Sequence, residues 1–385
     1  MPNKLLSNYI AILLASLLLM SMQAHSAGEL INPTNEKYFM PKTGINTKEL
    51  PDIQLKASDS KDKPLPFYKL TDNTYLLMGK IDVFNDTNRG WTGNAGFIVT
   101  SDGVIAIDSL GTPKLGHRMI ATIRTVTKKP IKYLVVTHNH PDHYFGASAY
   151  RAIPGLKIVA HAITYKYNES ETYVHSVDLR ERTYHSDDMK GVAKITPDIP
   201  IGGKPLDFKT VKLGGVTLNV YNLGNHHSYG DLVVEQIEKS GKIVWVSDLA
   251  FNNRLAYMGD GNNKRAIIGQ KWLLEKFKDA RYMIPGHGSA QTAPFKMVSR
   301  TLKYMAGMRK LMFEMIDDEK DLVDAVDIAE TSFPEWKNDH LYKHNHRRNA
   351  NFLYRDLEEE LLMDMGNEVE DTRLSQEVEQ EKDGV

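Results

Sequence analysis

From about Phe67 onward, short apolar runs bounded by Asn, Asp and Gly punctuate the chain, which is the pattern of buried strands. Tyr75–Met78, Gly96–Val99, Gly103–Asp108 and Tyr133–Val136 are the first four. Before the last of them, Leu115, Met119, Ile120, Ile123 and Val126 recur on one face at helical spacing and predict a helix over 115–126. Further strands are predicted at 157–160, 216–221, 232–237 and 243–246, then a helix at 270–278. Residues 166–204 form a long polar stretch. This alternation predicts an α/β fold around a largely buried sheet. Beyond Pro294 the period is helical: Phe295, Val298, Leu302, Met305 and Met308 share a face. Two more helical stretches follow at 322–329 and 351–363, with Phe333–Trp336 as punctuation.

The two ends break the pattern. Residues 1–27 read as a secretory signal, with Lys4 ahead of an apolar run of 11 residues, Ile10–Met20, and small residues after it. The run is too short to span a bilayer, so the expectation is cleavage and a soluble, exported protein, most simply periplasmic, with no stable membrane insertion. Residues 28–66 are polar and Pro-containing and read as an extended leader. From Leu357 to Val385 there are 11 acidic and 2 basic residues, a local charge of -9 within a chain whose total is -1. The end, 366–385, is expected to be a solvated acidic tail. The organisation is therefore signal 1–27, leader 28–66, catalytic domain 67–290, helical extension 291–365 and tail 366–385.

Composition narrows the chemistry. With 41% hydrophobic and 25% charged residues in 385, disordered, collagenous and coiled-coil classes are excluded. The near-zero net charge gives no sign of a nucleic-acid partner, and a small-molecule substrate is the expectation; oligomeric state is not legible. Cysteine is absent, which removes disulfide scaffolds, thiolate metal sites, cysteine nucleophiles and iron–sulfur clusters together. A metal would have to be held by carboxylates and some of the 14 histidines.

Thr137-His138-Asn139-His140-Pro141-Asp142-His143 supplies such donors directly after an apolar strand. In extended backbone His138 and His140 point the same way, because side chains alternate with period two. Asp142 and His143 fall beyond the turn, where they can face a second metal. Imidazole and carboxylate are ligands that hold Zn²⁺.

His-x-His-x-Asp-His after a buried strand resembles the signature of the metallo-β-lactamase superfamily, and later segments resemble its remaining motifs in order. Gly224-Asn225-His226-His227-Ser228-Tyr229-Gly230-Asp231 is similar to the third histidine motif, and its register to Gly230-Asp231 selects His227 over His226. Trp245-Val246-Ser247-Asp248 places a carboxylate where the superfamily's hydrolases carry a bridging Asp. Ile284-Pro285-Gly286-His287-Gly288 resembles the last histidine motif. The spacings from His143 to His227, Asp248 and His287 are successively 84, 21 and 39 residues.

The resemblance implies an αββα sandwich with a C-terminal helical extension. It also implies two zinc ions, with iron as the alternative metal: His138, His140 and His227 on one, Asp142, His143 and His287 on the other, and Asp248 bridging. Asp142 and Asp248 are then the catalytic carboxylates, and a bridging hydroxide attacks an ester, thioester, amide or lactam, or phosphoester. Asp108 is expected either to orient a ligand imidazole or to cap the helix starting near Pro113, and residues 93–96 near Trp91 to form a mobile flap. His340, His344 and His346 are expected to be structural or surface residues. The closest similarity within the superfamily is a loose one, to exported zinc metallohydrolases associated with quinoprotein and sulfur-oxidation systems. Two other readings use the same residues: an iron-dependent oxidoreductase of the same fold acting on sulfur compounds, and a non-catalytic binding protein.

Overall fold

The computed structural model describes residues 29–31, 37–38, 55–185 and 187–382, with side chains from Leu55 through Met363. The signal segment 1–27 and much of the leader lie outside the described residues.

Nine strands form the first sheet, in the order β2-β1-β3-β4-β5-β6-β7-β8-β9. They are β1 (Glu29–Ile31), β2 (Lys37–Tyr38), β3 (Phe67–Lys69), β4 (Thr74–Leu77), β5 (Ala95–Val99), β6 (Val104–Ile107), β7 (Ile131–Val135), β8 (Lys157–His161) and β9 (Ile199–Ile201). Helix α1 (Pro113–Val126) makes the crossover from β6 to the parallel β7. It packs Leu115, Met119 and Ile123 into the core, so the periodicity that predicted it is the face it buries. Thr112 caps it, its hydroxyl accepting from the Leu115 amide at 3.1 Å, and Pro113 starts it. The described end of the leader lies along this helix: Leu65 is buried and its amide donates to the Thr122 hydroxyl at 2.7 Å.

The second sheet has five strands in sequence order, β10 (Phe208–Leu213), β11 (Val216–Gly224), β12 (Asp231–Glu238), β13 (Gly241–Phe251) and β14 (Tyr282–His287). Ile98, Ile105, Ile107 and Val135 of the first sheet meet Leu218, Val220, Leu232, Val234, Ile243 and Trp245 of the second in one apolar layer. The outer face of the second sheet is covered by Leu273 of the helix Asn263–Lys276, by Phe277 just after its end, and by Met297 and Val298 at the start of Lys296–Asp317. Helix, sheet, sheet, helix is the resulting stack, the αββα arrangement expected. A separate core joins Lys296–Asp317, Leu322–Ser332 and the long helix Tyr342–Lys382 through Tyr304, Met308, Ala325, Phe333, Trp336 and Leu353. The helical backbone continues to Lys382, past the boundary drawn at 365.

Several elements were not legible. The polar stretch 166–204 contains helices over Thr164–Glu169 and Glu171–Thr183 and the strand β9; the second helix buries only Tyr173 and Arg180, too narrow a stripe to read as a period. Strand β10 is an edge that buries Val211 alone. Strand β14 contains Pro285-Gly286, which reads as a turn.

Candidate metal centre

All seven expected ligands come together where the strands of the two sheets end. Helix Pro141–Tyr144 turns the chain immediately after β7, so His138 and His140 precede the turn and Asp142 and His143 lie on it. His227 stands in the loop between β11 and β12. That loop is drawn round the Asp231 carboxylate, which accepts from the amides of His226, His227 and Ser228 at 2.9, 2.7 and 3.0 Å. His227 faces the cluster, while His226 turns away to pack against Gly269. Asp248 lies within β13, just after a break in its register with β14, and His287 ends β14. A Cβ on Gly286 would lie 1.7 Å from Asp248 Oδ1, so only glycine lets that carboxylate turn inward.

Two groups of donors result, His138, His140, His227 and Asp248, and Asp142, His143 and His287; within each, the donor atoms lie within 4.8 Å of one another. Asp248 touches both groups. Its Oδ2 is 3.1 Å from His227 Nε2 and 3.2 Å from His287 Nε2, and its Oδ1 is 3.5 Å from His143 Nε2. Asp142 Oδ2 is 3.5 Å from His287 Nε2 and accepts from the Thr92 hydroxyl at 2.8 Å.

The partners of the outward-facing nitrogens fix which atom of each imidazole is left inside. His143 Nδ1 donates to Asp108 Oδ2 at 2.9 Å, and His287 Nδ1 donates to the Thr92 carbonyl at 2.9 Å. His138 Nδ1 donates to the Ser247 hydroxyl at 3.1 Å. These three therefore offer Nε2 inward. His140 is reversed: Nε2 donates to Asp260 Oδ2 at 3.1 Å, leaving Nδ1 toward His227. His138 Nε2, His143 Nε2 and Asp248 Oδ1 are buried without any hydrogen-bond partner. Orphaned buried polar atoms are rare, and orphans converging from β13 and from the turn after β7 fit a bound cation.

A hydrogen-bonded chain ties the two groups together from behind. His138 donates to Ser247, Ser247 to Thr137 Oγ1 at 2.7 Å, and Thr137 to Asp108 Oδ2 at 2.9 Å, the same oxygen that holds His143. The Thr137 amide donates to the other Asp108 oxygen at 2.7 Å. Asp108 and Ser247 both adopt left-handed backbone, at φ 55° and 50°, a costly conformation for residues other than glycine that these networks hold in place. The structure thus decides the role of Asp108: it orients an imidazole, and Thr112 caps the helix.

Electrostatics follow the same geometry. Burial disfavours charge on His143, but the carboxylates of Asp108, Asp142 and Asp248 outweigh it and push its pKa up to about 9. Burial and the neighbouring histidines hold His138 well below the ordinary imidazole value. Burial would raise the pKa of Asp248; His287, His143 and His227 instead hold it well below the carboxylate range.

The expected flap is corrected. Residues 93–96 are buried, with the Asn94 amide donating to the Gly286 carbonyl at 2.7 Å and its side chain to the Pro285 and Gly288 carbonyls at 2.8 and 2.7 Å. They are a fixed floor joining the two sheets. Sequence reading gave no role to Thr92, Asp260, Arg254 or Ser247; the first three carry no local motif, and Ser247 lies inside the quoted Trp245–Asp248 segment. Of the histidines expected to be structural or surface residues, His346 is buried between the Tyr304 hydroxyl and the Ala329 carbonyl. His344, however, is exposed on the rim of the cleft above the cluster, a cavity of about 260 Å³.

A family model described as the metallo-beta-lactamase superfamily matches residues 88–302. The chain belongs to the metallo-β-lactamase superfamily. The stereoselective inverting sec-alkylsulfatase Pisa1 from Pseudomonas sp. has a similar solved structure, with 16% identity, a TM-score of 0.59, and 75% of this chain and 50% of that one covered. A double mutant of the same sulfatase aligns at 14% identity and TM-score 0.62, covering 87% of this chain and 59% of that one. A metallo-beta-lactamase from Pontibacter korlensis aligns at 20% identity and TM-score 0.46, covering 62% and 98%. The chain thus spans between half and three fifths of the sulfatase's length, and at these identities the likeness is one of fold. No curated protein matches the sequence.

Proposed function

We propose that the protein is an exported dinuclear zinc hydrolase that cleaves an ester, thioester, amide or lactam, or phosphoester. The observation that carries the reading is the orphaned set His138 Nε2, His143 Nε2 and Asp248 Oδ1, each buried and each facing the same space. His138, His140 and His227 would hold one ion, Asp142, His143 and His287 the other, with Asp248 shared. Two such cations supply Lewis acidity and lower the pKa of a coordinated water toward ~7. The chain does the rest by positioning. Asp108, Ser247, Asp260 and the Thr92 carbonyl fix each tautomer so that no imidazole rotates away. Asp142 and Asp248 stay ionised beside the histidines, and the cleft bounded by Phe84, Tyr257 and Leu341 limits solvent around the scissile bond.

The test is metal analysis of the purified protein together with turnover on a panel of ester, thioester, lactam and phosphoester substrates. A sulfate ester belongs in the panel because of the sulfatase neighbour. Two zinc ions per chain with hydrolysis are expected; stoichiometric iron with oxygen uptake would replace this reading with an oxidoreductase. Export rests on the pattern of residues 1–27, and a mature N-terminus at Met1 in the cell's soluble fraction would overturn it. Among the described residues, no helix is long and apolar enough to cross a membrane.

A further inference from the structure

His226 stands next to a metal ligand and takes no part in the ligand set, yet the fold makes a place for it. The helix Asn263–Lys276 and the turn before it close on this residue from two sides. A Cβ on Gly261 would lie 2.2 Å from the His226 carbonyl oxygen, and one on Gly269 would lie 2.8 Å from its ring. Glycine inside a helix is destabilising. At Gly269 it admits the His226 imidazole.

Beside this contact is a cavity of about 10 Å³, room for one molecule the size of water. His226, Asn263 and Gln270 line it, and His227 and Asp248 bound it as well. Asn263 and Gln270 stand about two turns apart on one helix. His226 Nδ1, Gln270 Oε1 and both amide atoms of the Asn263 side chain are buried without a hydrogen-bond partner, in residues at most 6% exposed. Buried polar atoms are nearly always paired, so four orphans round one cavity call for an occupant.

Their chemistry selects it. A cation would meet only the acceptors, Gln270 Oε1 and Asn263 Oδ1, and an anion only the donor, Asn263 Nδ2. Exchanging the two Asn263 atoms leaves the same mixture of donor and acceptor. Water carries two hydrogens and two lone pairs. One molecule can therefore meet Gln270 Oε1, one Asn263 atom, and His226 Nδ1 in either tautomer, the three bonds typical of a buried water.

We propose that this cavity holds one buried water molecule, and that the water clamps the His227 loop to the helix Asn263–Lys276. His226, Asn263 and Gln270 are then positioning residues for the ligand His227. The loop is gripped twice: by the Asp231 carboxylate, which takes the His226 and His227 amides, and by the water through the neighbouring His226 ring. The clamp itself needs no metal. Its effect on His227 rests on the metal-site reading.

The decisive variant is Asn263→Leu, because the Asn263 side chain has no hydrogen bond in the protein to lose. If its amide were simply unsatisfied, leucine should raise the Tm. If it holds the water, leucine strips Gln270 and His226 of their partner and the Tm should fall, with recovery in Asn263→Ser, whose hydroxyl can meet the same water. A high-resolution crystal structure of the full-length protein as purified should show one ordered water within hydrogen-bond reach of the three side chains. In the cobalt-substituted protein, Asn263→Leu should alter the visible absorption spectrum and weaken the ion at His138, His140 and His227 about tenfold in chelator competition, with the other ion changed less. Gln270→Met repeats each measurement if Asn263→Leu does not fold. A dry cavity, or an Asn263→Leu protein with equal or higher Tm, would overturn the water. A lower Tm with the cobalt spectrum and both affinities unchanged would overturn the positioning role. None of these measurements uses turnover, so the clamp and the hydrolase reading can fail separately.

Discussion

Replacing Asp108 by Asn keeps the shape of the residue and removes its charge, and the structure gives the consequence. The carboxylate takes the Thr137 amide on Oδ1 and both the Thr137 hydroxyl and His143 Nδ1 on Oδ2, at 2.7, 2.9 and 2.9 Å. An amide has one oxygen, so either orientation sets an N–H against a donor. With the NH₂ toward His143, the imidazole must keep Nδ1–H against another donor or move its proton to Nε2, the atom that faces the cluster. With the NH₂ toward Thr137, a buried backbone amide loses its acceptor. Each failure costs about 1–3 kcal/mol, and the loss of an orienting carboxylate lowers metal affinity about 10–100-fold. Competition with a chromophoric chelator should show the ion at Asp142, His143 and His287 weakened by that factor. The other site should change less, because His138 reaches Asp108 only through Ser247 and Thr137. Two unchanged affinities together with an unchanged Tm would refute the tautomer argument.

Four further outcomes follow from the same geometry. His138→Ala or His140→Ala should remove most activity and weaken one metal while circular dichroism stays native, since each deletes a donor rather than a core side chain; unchanged turnover would remove the site from consideration. Asp248→Asn should retain partial metal but lose most of the rate, because a neutral amide bridges poorly; two metals and full activity would show that Asp248 is not shared. In the metal-free protein His143 holds its proton up to about pH 9, so metal uptake at pH 7 should release that proton and affinity should rise with pH until about 9; calorimetry in buffers of different ionisation enthalpy measures it, and zero release would contradict the assigned charge. By the same sign, His143 stabilises the metal-free fold most below about pH 6.5 and ceases to do so as pH rises through 9. Gly146→Ala should destabilise the fold by about 1–3 kcal/mol in a denaturant melt, because a Cβ there would lie 1.8 Å from the Ser109 carbonyl oxygen; an unchanged midpoint would mean that this backbone contact yields freely.

What the sequence determined by itself was whatever is encoded locally. The strands flanking the site are contiguous apolar runs, and helix α1 buries the face that its periodicity announced. His138, His140, Asp142 and His143 sit within six positions of a single turn, so their proximity is a property of the chain before it folds. His227, Asp248 and His287 were legible because each sits in a short segment that resembles a motif of the superfamily. Tertiary structure decided what depends on contacts between distant segments. Asp260 reaches His140 across 120 residues, Ser247 reaches His138 across 109, and the Thr92 carbonyl reaches His287 across 195, with no local pattern to announce any of them. Asp108 could cap a helix or orient a ligand until the fold placed Thr112 at the cap. Residues 93–96, expected from the family resemblance alone to form a flap, are instead buried, with the Asn94 amide and side chain bonded to the end of β14 and the residue after it. The C-terminal helices read only as an appendage; the bridge from His340 to Arg254 makes them a wall of the cleft, since sequence periodicity reports which face is buried but not what it is buried against.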